Sequence, residues 1–159
     1  MIRTLLLILG CISFIVVMGA AVYEHAALVP VWTSAVPASL TMFQGEYALR
    51  PWNFWIPIHP TTVTLLLIGL IANWRTPRRN YVIAGLGGYL FVLAVTFAYF
   101  VPELFALVVN TPYSPTVDAE LTRRANLWEA LSLVRLGFIF LCAVTLLLGL
   151  SKPGEQKLS

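Results

Sequence analysis

"LLLIGLIANWRTPRRNYVIAGLGGYLF", residues 65–91, sets two apolar runs on either side of a turn that carries Arg75, Arg78 and Arg79. Pro77 sits inside that turn, so neither run reads straight through into the other. A helix needs roughly 20 apolar residues to cross about 30 Å of hydrocarbon. The run before the turn extends back to about 56 and the run after it on to about 101, and two further runs cover about 5–23 and 130–150. The chain of 159 residues is 59% hydrophobic and 11% charged, with a mean hydropathy of +0.84. A soluble domain of this length cannot bury so much apolar surface. The expectation is an all-α integral membrane four-helix bundle, one transmembrane domain over 1–159. Arg3, an apolar run and the small residues Gly19, Ala20 and Ala21 resemble a signal peptide, and "ILGC" resembles a lipoprotein box. Too few apolar residues precede Cys11 for the roughly 7–15 of an h-region, which predicts a retained first helix. Cys11 and Cys142 both fall within spans, where cysteine behaves as a small hydrophobe.

The arginine turn also orients the chain. Lys and Arg collect in cytoplasmic loops. With alternating spans, Arg3, Arg75, Arg78, Arg79, Lys152 and Lys157 all fall on one side. The other side carries Glu24, Glu46, Glu103, Asp118, Glu120 and Glu129 beside Arg50, Arg123, Arg124 and Arg135. Both termini are therefore expected in the cytoplasm, in an inner (plasma) membrane. The net charge of +3 is a topology signal and no sign of nucleic-acid binding.

Two outer connections follow from this reading. The first, about 26–55, is rich in aromatics: Trp32, Phe43, Tyr47, Trp52, Phe54 and Trp55 suit the headgroup level and are expected to cap the bundle. "ASLTMF" within it has room for a helical turn or two. The second holds Pro102, which predicts a kink, then the turn-rich "NTPYSPT". Thr116 or Asp118 reads as an N-cap, so the fourth helix should start near 117 and protrude from the bilayer before entering it. "GLGGY" (Gly85, Gly87, Gly88) predicts close helix packing, and Asn73, Trp74 and Arg75 an inner-interface anchor. Arg123 and Arg124 read as a solvated face.

Alternation brings ionisable groups to one outer level. Glu24 and His25 close the first span, His59 opens the second, Glu103 closes the third, and Trp128, Glu129, Ser132 and Arg135 open the fourth. Arg135 lies about 7 Å inside the span at a rise of about 1.5 Å per residue. A charge there faces the bundle interior or finds a partner, and Glu24 or Glu103 is the natural acid. Trp128, Ser132 and Arg135 share one helix face, while Glu129 points about 100° away from Trp128.

This cluster reads either as a structural clamp on helix ends or as a pocket. As a pocket it gives His25 or His59 the role of base, with Glu24 and Glu103 as carboxylates and Arg135 as anion stabiliser. Trp128, Ser132 and Glu129 would line the bound molecule, a flat apolar aromatic or quinone-like ligand. A metal set of His25, His59 and Glu103, holding iron or copper, is the other form of the pocket. No H-x-x-x-H or E-x-x-H spacing supports it, and adjacent Glu24 and His25 diverge by about 100°. Lipid surrounds the chain on either reading, and partner membrane subunits or a second copy would accompany a clamp.

"YFVPELFAL" followed by "DAELTRRANLWEALSLVR" resembles the family of small four-helix membrane proteins that includes the anthrone oxygenases. There the third helix ends in a polar break and the fourth opens on an acidic–basic turn, then a Trp, a polar residue and an Arg. Trp128, Ser132 and Arg135 match that pattern. "EHAALVPVW" matches a proline-containing segment after the first helix. The likeness covers the last fifty or so residues well and the first thirty loosely; "WIPIHP" and the aromatic first connection depart from it. It implies oxidation of an aromatic or quinone-like substrate by a small bundle without an obvious bound cofactor.

Overall fold

The computed structural model describes residues 1–154; the end of the tail, with Lys157, lies outside the described residues. The described chain is helical and contains no strand. In order, α1 is Ile2–Ala27, α2 Val29–Thr33, a 3-10 helix Ala38–Phe43, α3 Trp52–Ala72, α4 Arg79–Val95, α5 Val101–Leu104 and α6 Ala119–Leu150. Four stretches are long and apolar enough to cross a membrane: Ile2–Ala27, Trp52–Ala72, Arg79–Val109 and Ala119–Leu150. Three of them contain an expected span whole, and Trp52–Ala72 covers the second, 56–74, except for its last two residues, which belong to the turn. Each also overruns at least one end of its span, because a helix stops where its last backbone groups find other partners, not where apolar residues run out.

Two helix ends show how local chemistry sets the boundaries. Asp118 caps α6: its Oδ1 accepts the backbone N–H of Glu120 at 2.8 Å and of Leu121 at 3.0 Å. At Pro102 the helix does not break. Proline lacks the N–H and crowds the preceding turn. Here the helix widens to π geometry over Thr96–Phe100 and again over Phe105–Val109, with α5 between.

The chain divides into two compact units. The first comprises Met1–Ala20, Trp52–Val92 and Gly137–Ser159. Its core is Leu7, Phe14, Leu66, Val82, Tyr89 and Leu146, all fully or nearly fully buried. Small residues let its helices approach. A Cβ built at Gly85 would lie 2.6 Å from Leu146 Cγ, and one at Gly88 2.7 Å from Cys142 Sγ, so α4 and α6 touch where "GLGGY" predicts. Gly87 faces open space. At Gly69 an added Cβ would lie 3.4 Å from Leu7 Cα, an ordinary contact, so α3 lies against α1 there without needing the glycine.

Polar locks reinforce this packing. Ser13 and Thr62 share a 2.7 Å hydrogen bond between α1 and α3. Asn73 is fully buried and donates to the Arg3 carbonyl at 3.0 Å and the Gly69 carbonyl at 2.9 Å. Arg78 is buried as well: its Nε donates to the Lys152 carbonyl at 2.8 Å and a terminal nitrogen to Thr4 Oγ1 at 2.7 Å. Sequence reading treats Arg78 only as a loop charge. The structure makes it a clip that joins the start of α1 to the end of α6.

The second unit comprises Ala21–Pro51 and Leu93–Leu136. Val29, Trp32, Val36, Leu40, Phe100, Leu107, Ala125 and Trp128 form its core. Trp32, expected among the exposed aromatics of this connection, is buried at 3% exposure. Its ring meets Trp128 edge-on at 5.4 Å and Phe43 at 6.4 Å. "ASLTMF" makes the expected helical turn, as the 3-10 helix Ala38–Phe43. Gly45 follows at φ +79°, a left-handed position that suits a residue without Cβ. The Asp118 N–H and the Thr122 hydroxyl both donate to the Val36 carbonyl, at 2.9 and 3.3 Å, tying this segment to the start of α6.

Candidate functional site

Seven of the eight expected site residues belong to the second unit: Glu24, His25, Glu103, Trp128, Glu129, Ser132 and Arg135. Trp128, Ser132 and Arg135 share a face of α6, as their spacing requires. Arg135 donates to Ser132 Oγ at 2.8 Å, and its guanidinium carbon lies 6.0 Å from the Trp128 ring centre. The same guanidinium covers the Phe100 ring at 4.1 Å and donates to Thr96 Oγ1 at 3.1 Å. A cation over an aromatic face is attracted by the ring's negative quadrupole, more so when water is excluded. Thr96 and Phe100 both lie on the π-helical stretch, whose wider turn sets this surface against α6.

The acid expected for Arg135 was Glu24 or Glu103. Glu24 lies within electrostatic reach of Arg135. Glu103 is bound elsewhere: its two carboxylate oxygens accept a bidentate pair of bonds from Arg124, both 2.8 Å. Arg124 is therefore not simply part of a solvated face. Only Arg123 behaves that way, paired with Glu120 on the exposed first turns of α6. Glu129 turns away from Trp128 as its spacing predicts, and its carboxylate meets the Thr33 hydroxyl at 2.6 Å. The indole N–H of Trp128 donates to the Phe100 carbonyl at 3.0 Å. Sequence reading missed Thr33, Thr96 and Phe100, because they lie in apolar stretches and carry no charge or motif.

His25 hydrogen-bonds the Ala21 carbonyl through Nδ1 at 2.8 Å. A carbonyl only accepts, so Nδ1 carries the hydrogen, and in the neutral ring Nε2 holds a free lone pair. That Nε2 is buried and has no hydrogen-bond partner, and the same is true of Arg135 Nε. Buried polar atoms without partners are rare, and each calls for an explanation.

His59 belongs to the first unit. Its Nδ1 meets the Tyr89 hydroxyl at 2.7 Å, and its ring stacks on Trp55 at 5.3 Å. Tyr89 in turn hydrogen-bonds Thr62, which continues to Ser13, so a polar chain threads the core of this unit. Among the described residues no three His, Cys, Asp or Glu side chains are placed to hold a metal ion. The expected set of His25, His59 and Glu103 is not assembled among the described residues: Glu103 gives both carboxylate oxygens to Arg124.

Fold and site together define an all-helical protein with four helices long and apolar enough to cross a membrane and a cationic, aromatic-walled polar cluster in one of its two units. Comparison with protein-family models, curated proteins and solved structures gives no match.

Proposed function

We infer that the protein is an integral membrane protein whose second unit, through His25 and Arg135, binds a flat aromatic molecule bearing a carbonyl or hydroxyl, of quinone or anthrone type. The membrane reading draws on the four apolar stretches and on their outward residues: Ile71, Phe91 and Leu141 are 73, 61 and 60% exposed. Exposed apolar faces on that scale need lipid or a partner. The charge distribution supports cytoplasmic termini in an inner membrane that the four helices cross in alternation.

One observation carries the ligand reading: the second unit buries an acceptor, His25 Nε2, and a donor, Arg135 Nε, that no protein group satisfies. A ligand hydroxyl gives His25 its missing hydrogen bond, and a ligand carbonyl or enolate oxygen takes that of Arg135. Phe100 and Trp128 supply apolar walls. With an anthrone, His25 removes a proton from the methylene carbon and Arg135 stabilises the enolate oxygen. Dioxygen is the oxidant: the methylene becomes a carbonyl, and one O2 is consumed for each water released.

Purified full-length protein in mild detergent tests this by titration with a hydroxyanthraquinone, followed by its visible spectrum, and by oxygen uptake with anthrone. Saturable binding that weakens at least tenfold in Arg135→Gln and in His25→Gln supports the reading. Binding that is non-saturable, or equal in all three proteins, ends it.

A second reading has its own observation. Glu103, Glu129 and Trp128 are all engaged within the protein, as clamp residues of a non-catalytic subunit or homo-oligomer would be. A monodisperse monomer by native mass spectrometry counts against it.

A further inference from the structure

The first unit carries Arg3, Arg75, Arg78, Arg79 and Lys152, yet among its described residues there is no Asp or Glu. Both ion pairs found among the described residues lie in the second unit. Among the described residues of the first unit, no carboxylate balances that positive charge.

The five cations are not equivalent. Arg78 is buried and spends its donors on Lys152 and Thr4. Lys152 leans over the Tyr81 ring at 5.4 Å. Arg75 and Arg79 are exposed, and they line a cleft of about 460 Å³ with Trp74, Thr76, Pro77 and Asn80. Arg79 stands over the half-exposed Trp74 ring at 5.4 Å, and its Nε reaches Asn80 Oδ1 at 3.4 Å. Thr76 is unavailable, since its hydroxyl donates to the Asn73 carbonyl and accepts the Arg78 N–H. What the cleft offers a ligand is two guanidinium groups, the Asn80 amide and an indole face, with no carboxylate among its lining residues.

We propose that this cleft binds the phosphodiester headgroup of an anionic phospholipid. Guanidinium groups match phosphate oxygens in geometry and charge. Trp74 suits the half-wet headgroup level, and Pro77 keeps the turn from continuing as helix. The cytoplasmic leaflet, where positive-inside charge places this turn, is also the one rich in anionic lipid. The proposal rests on the membrane reading above and is independent of the His25–Arg135 ligand.

The test uses full-length protein in nanodiscs of phosphatidylcholine with a minor fraction of phosphatidylglycerol, released and weighed by native mass spectrometry. Phosphatidylglycerol should be retained over phosphatidylcholine by about tenfold or more, given two cations at the surface. Arg75→Gln/Arg79→Gln should abolish that preference, Arg75→Lys/Arg79→Lys should keep most of it, and Arg3→Gln should leave it intact. Equal retention of the two lipids, or a preference untouched by the double Gln variant, overturns the proposal. So does displacement of the lipid by millimolar inorganic phosphate, which marks a small-anion site instead. Extraction by alkaline carbonate separates the two levels. Protein that stays in the membrane but shows no headgroup preference loses this proposal alone; protein released to the supernatant loses the membrane reading with it.

Discussion

Replacing Gly85 by alanine puts a methyl group where the structure has none to spare. The new Cβ would stand 2.6 Å from both Cγ and Cδ2 of Leu146, a side chain only 1% exposed. Cγ is the branch point of leucine, so the contact is not relieved by turning a terminal methyl; α4 and α6 must separate. Overpacking of this kind costs about 1–3 kcal/mol. Alanine also helps the helix, by about 0.5–1 kcal/mol relative to glycine. Gly87 isolates that second effect, since it lies on the same helix with nothing within 4 Å of its added Cβ. The expectation is a modest gain for Gly87→Ala and a net loss of about 1–2 kcal/mol for Gly85→Ala. Thermal unfolding in detergent should then separate the two variants by several degrees, at about 2–4 °C per kcal/mol for a chain of this size. A double variant, Gly85→Ala/Leu146→Ala, should be less damaged than the sum of its parts, because the new methyl occupies part of the space that Leu146 vacates. If Gly85→Ala melts with Gly87→Ala, or the two changes simply add, the close contact of α4 with α6 is not what holds this unit together.

Three further outcomes follow from single contacts. Thr62→Val strands the Ser13 hydroxyl and should cost about 1–2 kcal/mol, whereas adding Ser13→Ala should recover part of that loss, as urea or thermal melts can show. Trp128→Phe gives up the bond to the Phe100 carbonyl and part of the buried indole's packing on Trp32 and Phe100, so a loss of about 2–3 kcal/mol without change of fold is expected by circular dichroism and melting. Asp118→Ala removes the cap of α6 and should cost about 1 kcal/mol, while Asp118→Asn, which keeps an acceptor oxygen, should cost little; hydrogen exchange at the Glu120 and Leu121 amides reports it directly.

Much of the architecture was legible because it depends on quantities that are local in the chain. The apolar runs around 5–23, 81–101 and 130–150 reappear inside long helices, and that around 56–74 does so up to Ala72, since length and hydropathy need no knowledge of neighbours. The start of α6 and its cap at Asp118 came from the same kind of information, as did the turn at Ala38–Phe43. So did the shared face of Trp128, Ser132 and Arg135. The close glycines of "GLGGY" also came through, although only contact with α6 distinguishes Gly85 and Gly88 from Gly87.

Partnership was not legible. Glu103, expected as a partner for Arg135, takes Arg124 instead, and Arg135 meets Thr96, Ser132 and the Phe100 ring. His59 goes to Tyr89 and Glu129 to Thr33. Trp32, read as an interface aromatic, is core. A side chain's partner depends on helix rotation and on where a helix widens, as this one does over Thr96–Phe100, and neither is written in hydropathy. Taken alone, the sequence determined that four greasy helices exist, roughly where they begin, and which turn gathers the arginines, because these are sums over neighbouring residues. Tertiary structure decided which polar atom satisfies which, and so which ones, at His25, Asn73 and Arg135, are left over, because pairing is a matter of angstroms between segments far apart in the chain.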